Sequence, residues 1–445
     1  MPHRFVLPML LLSFTGLCAA QTNEEKLIAH MDEFRPEVIK VTEGVWVAVG
    51  YALANSVLIE GTDGVIIVDT TESKTAARAI KAEFDKLSTK PVKAIIYTHN
   101  HYDHINGSEV FAGDAKPEVY AQQLLETLVV QSNAEVGPAM QPRNLRQFGA
   151  LLPDDARPNS GIGPKLVLDS GGALTYLKPT KTFDKELEFI VAGLKVKLVH
   201  APGETDDQLY VWIPEKKVLC IGDNYYLAFP NLYAIRGTPY RDVRKWRDSV
   251  DLAIAEKPEF LVPSHSRPLS GEAHIREVLT DYRNAIDSVY TQTIAGMNKG
   301  LTPDDLVQQV KLPENLASKP YLEQFYGTVP WAVRSIFVGM LGWFDGNATH
   351  LFPLSPKDRA EKIAALAGGK DALMQKLRDA SKTQDYQWTA ELADHVLAMD
   401  AGNSEAKSIK AQALIAIGRQ QISANARNYF MTSAMQLGAT PPKYK

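Results

Sequence analysis

Cysteine is nearly absent from this chain: 445 residues contain two, Cys18 and Cys220. A chain cut after Ala20 keeps only Cys220 and can form no internal disulfide, even in a compartment that would permit one. An excess of charge of one sign is lacking too. The formal net charge is −4 and no basic run interrupts the sequence, which argues against nucleic acid as a partner. Long apolar runs are also missing. The longest extends from Phe5 to Leu17, too short for a permanent membrane span. With Arg4 before it and Ala19 and Ala20 after it, residues 1–20 read as a secretory signal peptide. Cys18 is a poorer lipidation site, because Leu17 stands where a small residue is needed. The expectation is a periplasmic or secreted protein with no membrane anchor after cleavage.

Histidine is scarce as well, with ten in the whole chain, yet three fall within six residues of one another in "THNHYDH". The stretch follows "VKAII", a strand-like apolar run, and places His99, His101, Asp103 and His104 on the loop after it. Imidazole and carboxylate suit zinc and similar divalent ions. Alternate residues of an extended turn share a side, so His99 and His101 can serve one ion while Asp103 and His104 face a second.

The surroundings have the same grammar. "VWVAVGYALANSVLIEGTDGVIIVDT" reads as consecutive strands with a turn at Gly61–Gly64, and "ESKTAARAIKAEF" as an amphipathic helix. "KVKLVHAPG", "QLYVWIP", "KVLCIGD" and "EFLVPSH" are four further strands, three of which run into a Glu, Asp or His. Residues 138–172, rich in Gly, Pro and Asp, read as a long irregular insertion that forms a lid or pocket wall. From about Gly271 to Asp287 onward the pattern is helical, and Asp385 to Gln420 reads as a helix–turn–helix pair. The expected layout is a signal peptide at 1–20, an α/β catalytic domain at 21–275 and an all-helical domain at 276–445.

H-x-H-x-D-H after an apolar strand resembles the signature of the metallo-β-lactamase fold, an αββα sandwich. "HAPGE" with Glu204, "CIGD" with Asp223 and "PSH" with His265 follow in that family's order. "NLYAIRG", "RDVRKW", the stretch from Tyr321 to Leu354 and "DYQWTAELADHVLAMD" narrow the resemblance to its alkylsulfatase branch, over nearly all of residues 40–440. Longer members add a C-terminal sterol-carrier-like domain, which this sequence does not reach.

The resemblance implies two Zn²⁺ per subunit. One would be held by His99, His101 and Glu204, the other by Asp103, His104 and His265, with Asp223 bridging. It implies hydrolysis of an alkyl sulfate to an alcohol and inorganic sulfate by a metal-bound hydroxide, and a homodimer made by the helical domain. Arg236, Asn231 and Tyr233 would receive the sulfate, the planar guanidinium matching its oxygens. Attack on carbon and attack on sulfur both remain open. The chain departs from the branch in two places: "NYYLAFP", Asn224 to Pro230, holds no histidine, and Asp223 stands where relatives carry Glu. A proton for a leaving alcohol would then come from elsewhere, with Tyr225 and Tyr226 as candidates. His200 reads as structural and Cys220 as a buried thiol. The same metals would also serve an aryl sulfate, a phosphodiester or a lactone, and a metal-bound scaffold without turnover is the reading from another class.

Overall fold

The structure is a computed structural model that describes residues 21–169 and 174–444; the signal-peptide reading and the end of the 138–172 insertion lie outside those residues. Two mixed sheets pack face to face. The first has seven strands in chain order, Glu37–Thr42, Val45–Val49, Ser56–Glu60, Val65–Val68, Val92–Ile96, Glu118–Gln122 and Lys181–Phe183. The second has six, from Glu186–Val191 through Leu194–His200, Leu209–Ile213, Val218–Gly222 and Phe260–Pro263 to Leu269–Ser270. The expected strands are all present, and the turn at Gly61–Gly64 closes on a backbone hydrogen bond.

Strand composition decides the layering. Val47, Val57, Ile59, Val68 and Ile96 of the first sheet meet Val196, Leu198, Val211, Val218 and Cys220 of the second in a dry interface. The strands Val65–Val68, Leu209–Ile213 and Val218–Gly222 are buried at every position, so both faces must be covered. Helix Lys74–Phe84 covers the first sheet with Ala76, Ala77, Ile80 and Phe84. Helix Val243–Ala255 covers the second with Trp246 and Val250. Each buried Val, Leu, Ile or Phe side chain contributes roughly 1.5–3 kcal/mol relative to exposure. The result is the expected αββα sandwich.

The helical part is rooted in this core. Helix Glu272–Met297 runs continuously through the stretch from Gly271 to Asp287, and its Ile275, Leu279, Tyr282 and Ile286 share one cluster with Ile221, Leu261 and the helix Val329–Leu341. The later helices Pro356–Ala367, Lys370–Lys382, Tyr386–Met399 and Ser404–Arg419 form their own apolar clusters, and the helix–turn–helix expected from Asp385 to Gln420 is there. Among the described residues no helix is long and apolar enough to cross a membrane.

One expectation is corrected. The start of the 138–172 insertion is not irregular: Gly137–Gln147 is an α-helix. Pro138 falls in its first turn, where no backbone N–H is needed, and Gly149 turns the chain out at φ +61°. Helix Ala424–Gln436 packs near it, with buried Arg427 donating to the Ala156 carbonyl and Asn428 to that of Gln147.

Glu72 ties the Val167 part of the insertion to the sandwich. Its buried carboxylate accepts from the Leu53 N–H at 3.0 Å and the Val167 N–H at 2.9 Å. Glu72→Ala would leave both donors without that partner, a cost of about 2–3 kcal/mol in denaturant unfolding. Burial pushes the Glu72 carboxyl from 4.5 up to about 7. The folded state therefore holds a proton that the unfolded chain releases, and this contribution to stability is present below 4.5 and lost as pH rises through 7. Glu72→Gln is expected to flatten that part of the stability–pH curve; an unchanged slope would contradict the assignment.

Candidate metal centre

Five strands end at one rim of the sandwich, and each delivers a polar residue there. Val65–Val68 leads to Asp69, Val92–Ile96 to the histidine loop, Leu194–His200 to Glu204, Val218–Gly222 to Asp223 and Phe260–Pro263 to His265. The two sheets are stitched at this rim by hydrogen bonds from Leu209 N to Thr98 O and from Asn55 N to Ser264 O. Gly203 lets the Glu204 loop close down: a Cβ there would lie 2.0 Å from Asn224 Oδ1.

The seven residues expected as ligands come together. The Asp223 carboxylate lies 3.8 Å from His99 Nε2, 3.5 Å from His104 Nε2 and 3.2 Å from His265 Nε2. Asp103 is 3.5 Å from His104 Nε2 and 3.6 Å from His265 Nε2. His101 Nδ1 is 2.9 Å from His99 Nε2 and 3.9 Å from Glu204 Oε1. Three overlapping groups have ligand atoms all within 4.8 Å of one another: His99, His104 and Asp223; Asp103, His104 and His265; His101, Glu204 and Asp223. Asp223 and His104 each sit in two of the three.

The donor set fits cations and little else. His104 Nε2, His265 Nε2, Glu204 Oε2 and Asp223 Oδ1 are buried with no hydrogen-bond partner among the described residues, and all four belong to this nest. Orphaned polar atoms are costly, and four of them converging on one another mark a place for ions. Burial, with the neighbouring His104, holds His99 well below the ordinary imidazole value, and burial with His99 does the same for His101, which suits both to hold a cation through a free lone pair. Burial alone would lower His104, but Asp223, Asp103 and Asp69 raise it overall; burial alone would raise Asp223, but His265 and His104 lower it. A bound cation would supply the positive charge that these carboxylates otherwise draw from His104 and His265.

Asp69 orients the nest and was not expected from the sequence. It takes φ +56° and accepts from Thr98 N, Thr98 Oγ1 and Ser264 Oγ, each at 2.8 Å. Its Oδ2 also meets His104 Nδ1 at 2.8 Å, which leaves Nε2 to face the centre. His265 is set the same way, Nδ1 to the Leu53 carbonyl at 2.9 Å. The one signal was an Asp at the end of the apolar run "VIIVDT".

A cleft of about 310 Å³ opens beside Glu204 and His101. Arg236 lines it, Nη2 3.0 Å from His101 Nε2, together with Leu128, Val136, Met140 and Tyr240. Asn231 is fully buried and is not among the residues lining the cleft, and its side-chain amide has no partner among the described residues. Tyr233 is half-buried and is not among the residues lining the cleft. Tyr225 and Tyr226 also lie outside it. Both are packed in the core, Tyr226 accepting from Asn231 N at 2.7 Å, and burial raises both phenols. His200 bonds the Asp206 carbonyl at 2.7 Å, away from the ligand groups, and Cys220 is a buried thiol.

Fold and site together define a metallo-β-lactamase-type metal-binding protein, and residues 49–265 match the metallo-beta-lactamase superfamily model. Residues 302–439 match the model for alkyl sulfatase dimerisation. A linear primary-alkylsulfatase of a Pseudomonas species is 40 % identical over 85 % of this chain and 73 % of its own length. The alkyl/aryl-sulfatase BDS1 of Saccharomyces cerevisiae is 29 % identical over 91 % of this chain and 64 % of its own. The solved structure of the stereoselective inverting sec-alkylsulfatase Pisa1 from Pseudomonas superposes with a TM-score of 0.87 at 28 % identity, over 95 % of this chain and 68 % of that one. The chain belongs to the alkylsulfatase family of the metallo-β-lactamase fold.

Asp69→Ala removes the acceptor that fixes His104. Metal affinity measured by chelator competition is expected to fall roughly 10–100-fold with the fold retained; an unchanged affinity would remove Asp69 from the account.

Proposed function

We propose that this protein is an exported hydrolase that converts an alkyl sulfate and water to an alcohol and inorganic sulfate at a pair of zinc ions. The single observation that carries the reading is the placement of Arg236: its guanidinium stands in the cleft beside His101, next to a nest of seven metal-type ligands. Family membership supports the ester class, and the pattern of Met1 to Ala20 supports export.

His99, His101 and Glu204 would hold one ion, Asp103, His104 and His265 the other, with Asp223 between them. Zinc so held would supply hydroxide near neutral pH and neutralise charge on the ester. The chain's own residues do the rest. Arg236 provides a planar fork for the sulfate oxygens, and Asn231 a neutral amide from the same loop. Leu128, Val136 and Met140 give the outer cleft an apolar wall suited to an alkyl chain.

The helical region supports a homodimer. It exposes Leu341, Trp343 and Phe352 at 61, 69 and 94 %, inside the stretch that matches the dimerisation model. A second copy is the occupant that would take such apolar side chains out of water. Solution scattering at micromolar concentration should give a dimer, and Trp343→Asp with Phe352→Asp a monomer; a monomeric wild type would refute this.

Zinc-loaded protein is expected to release sulfate from dodecyl sulfate, and Arg236→Ala to lower kcat/KM by at least about 100-fold with two metals still bound. Full metal occupancy without sulfate release would move the proposal to another ester.

A further inference from the structure

Arg241 is buried, 4 % exposed, and reaches two different parts of the site at once. Its Nη2 pairs with Glu204 Oε1 at 2.9 Å. Its Nη1 donates to the backbone carbonyl of Asn231. Glu204 belongs to the ligand nest, and Asn231 opens the loop that carries Arg236. The same guanidinium lines the cleft; its contact with Glu204 is an ion pair without hydrogen-bond geometry, and neither its Nε nor its Nη2 has a hydrogen-bond partner among the described residues. From the other side the loop is held by Gln147 Oε1, which accepts from Arg236 N at 2.9 Å, and by Arg143, which donates to the Ile235 carbonyl at 2.7 Å.

We propose that Arg241 is a positioning residue that couples the first metal position to the sulfate loop: it fixes the Glu204 carboxylate for the ion and, through the Asn231 backbone, sets where Arg236 meets the sulfate. Two physical reasons carry this. Glu204 brings a third carboxylate to the nest, after Asp103 and Asp223, and a buried carboxylate with no adjacent cation turns away or takes a proton. The fork of a guanidinium also spans a carboxylate and a carbonyl on separate segments, which a single ammonium does not. A purely structural arginine would be indifferent to metal and to substrate; this one links them.

The coupling predicts a separable pattern. Arg241→Gln removes both charge and fork. Zinc affinity at one of the two positions, read by competition with a chromophoric chelator, is expected to drop at least tenfold while the other stays within twofold. KM for dodecyl sulfate is expected to rise about tenfold. Arg241→Lys keeps the charge beside Glu204 but not the reach to Asn231, so zinc affinity should largely recover while KM stays high. Zinc affinities unchanged in Arg241→Gln would overturn the proposal, as would an Arg241→Lys variant equal to wild type in both readouts. If Arg241→Gln fails to fold, the lysine variant alone decides, since raised KM with near-normal zinc binding is specific to the coupling. The KM arm rests on the hydrolase reading above. The zinc arm does not, so a wild type that leaves dodecyl sulfate intact would defeat that reading and leave this test in place.

Discussion

Seven ionisable side chains are drawn out of water into one nest, and the rest of the molecule is arranged around that constraint. A single ion buried without partners costs several kcal/mol. Here Asp103, Asp223 and Glu204 meet His99, His101, His104 and His265 at distances of 3.2–3.9 Å between the groups, all but the shortest too long for good hydrogen bonds, and suited to ions lying between them. The carboxylates need cations, and the imidazoles need their lone pairs turned inward.

Both needs are met from outside the nest. Asp69 takes a positive φ and gathers hydrogen bonds from Thr98, Ser264 and His104, which span both sheets. The Leu53 carbonyl turns His265, and Arg241 holds Glu204. These contacts are possible because five strand ends meet at one rim, and the strands are fixed there by apolar faces that fill the sandwich on both sides. The helical region adds to this platform, since Glu272–Met297 lies directly on the second sheet. Site, sandwich and helices form one continuous packing problem, with chemistry confined to the rim where backbone pairing stops.

Much of this was legible in the sequence because strands are short-range signals. An apolar run that ends in His, Asp or Glu reads as a strand delivering a ligand, and four such runs placed the nest before any contact was known. Asp69 carried the same signal in "VIIVDT" yet looked like any strand end, because its role depends on Ser264, 195 residues away. Arg241 sat in plain view in "RDVRKW", but nothing local says that its fork reaches Glu204. The helix at Gly137–Gln147 was missed for the opposite reason: Pro138 and Gly149 look like breakers in a window and are in fact its start and its exit. Side-chain orientation around a site is set by distant partners, and single-sequence patterns do not hold that information.

The most direct test of the account is anomalous diffraction at the zinc edge from crystals of the zinc-loaded protein. Two peaks are expected, one on each side of Asp223: one within bonding distance of His99, His101 and Glu204, the other of Asp103, His104 and His265. A single peak, or density that leaves Glu204 or Asp223 without a metal contact, would contradict the claim that these seven residues were brought together to hold two ions.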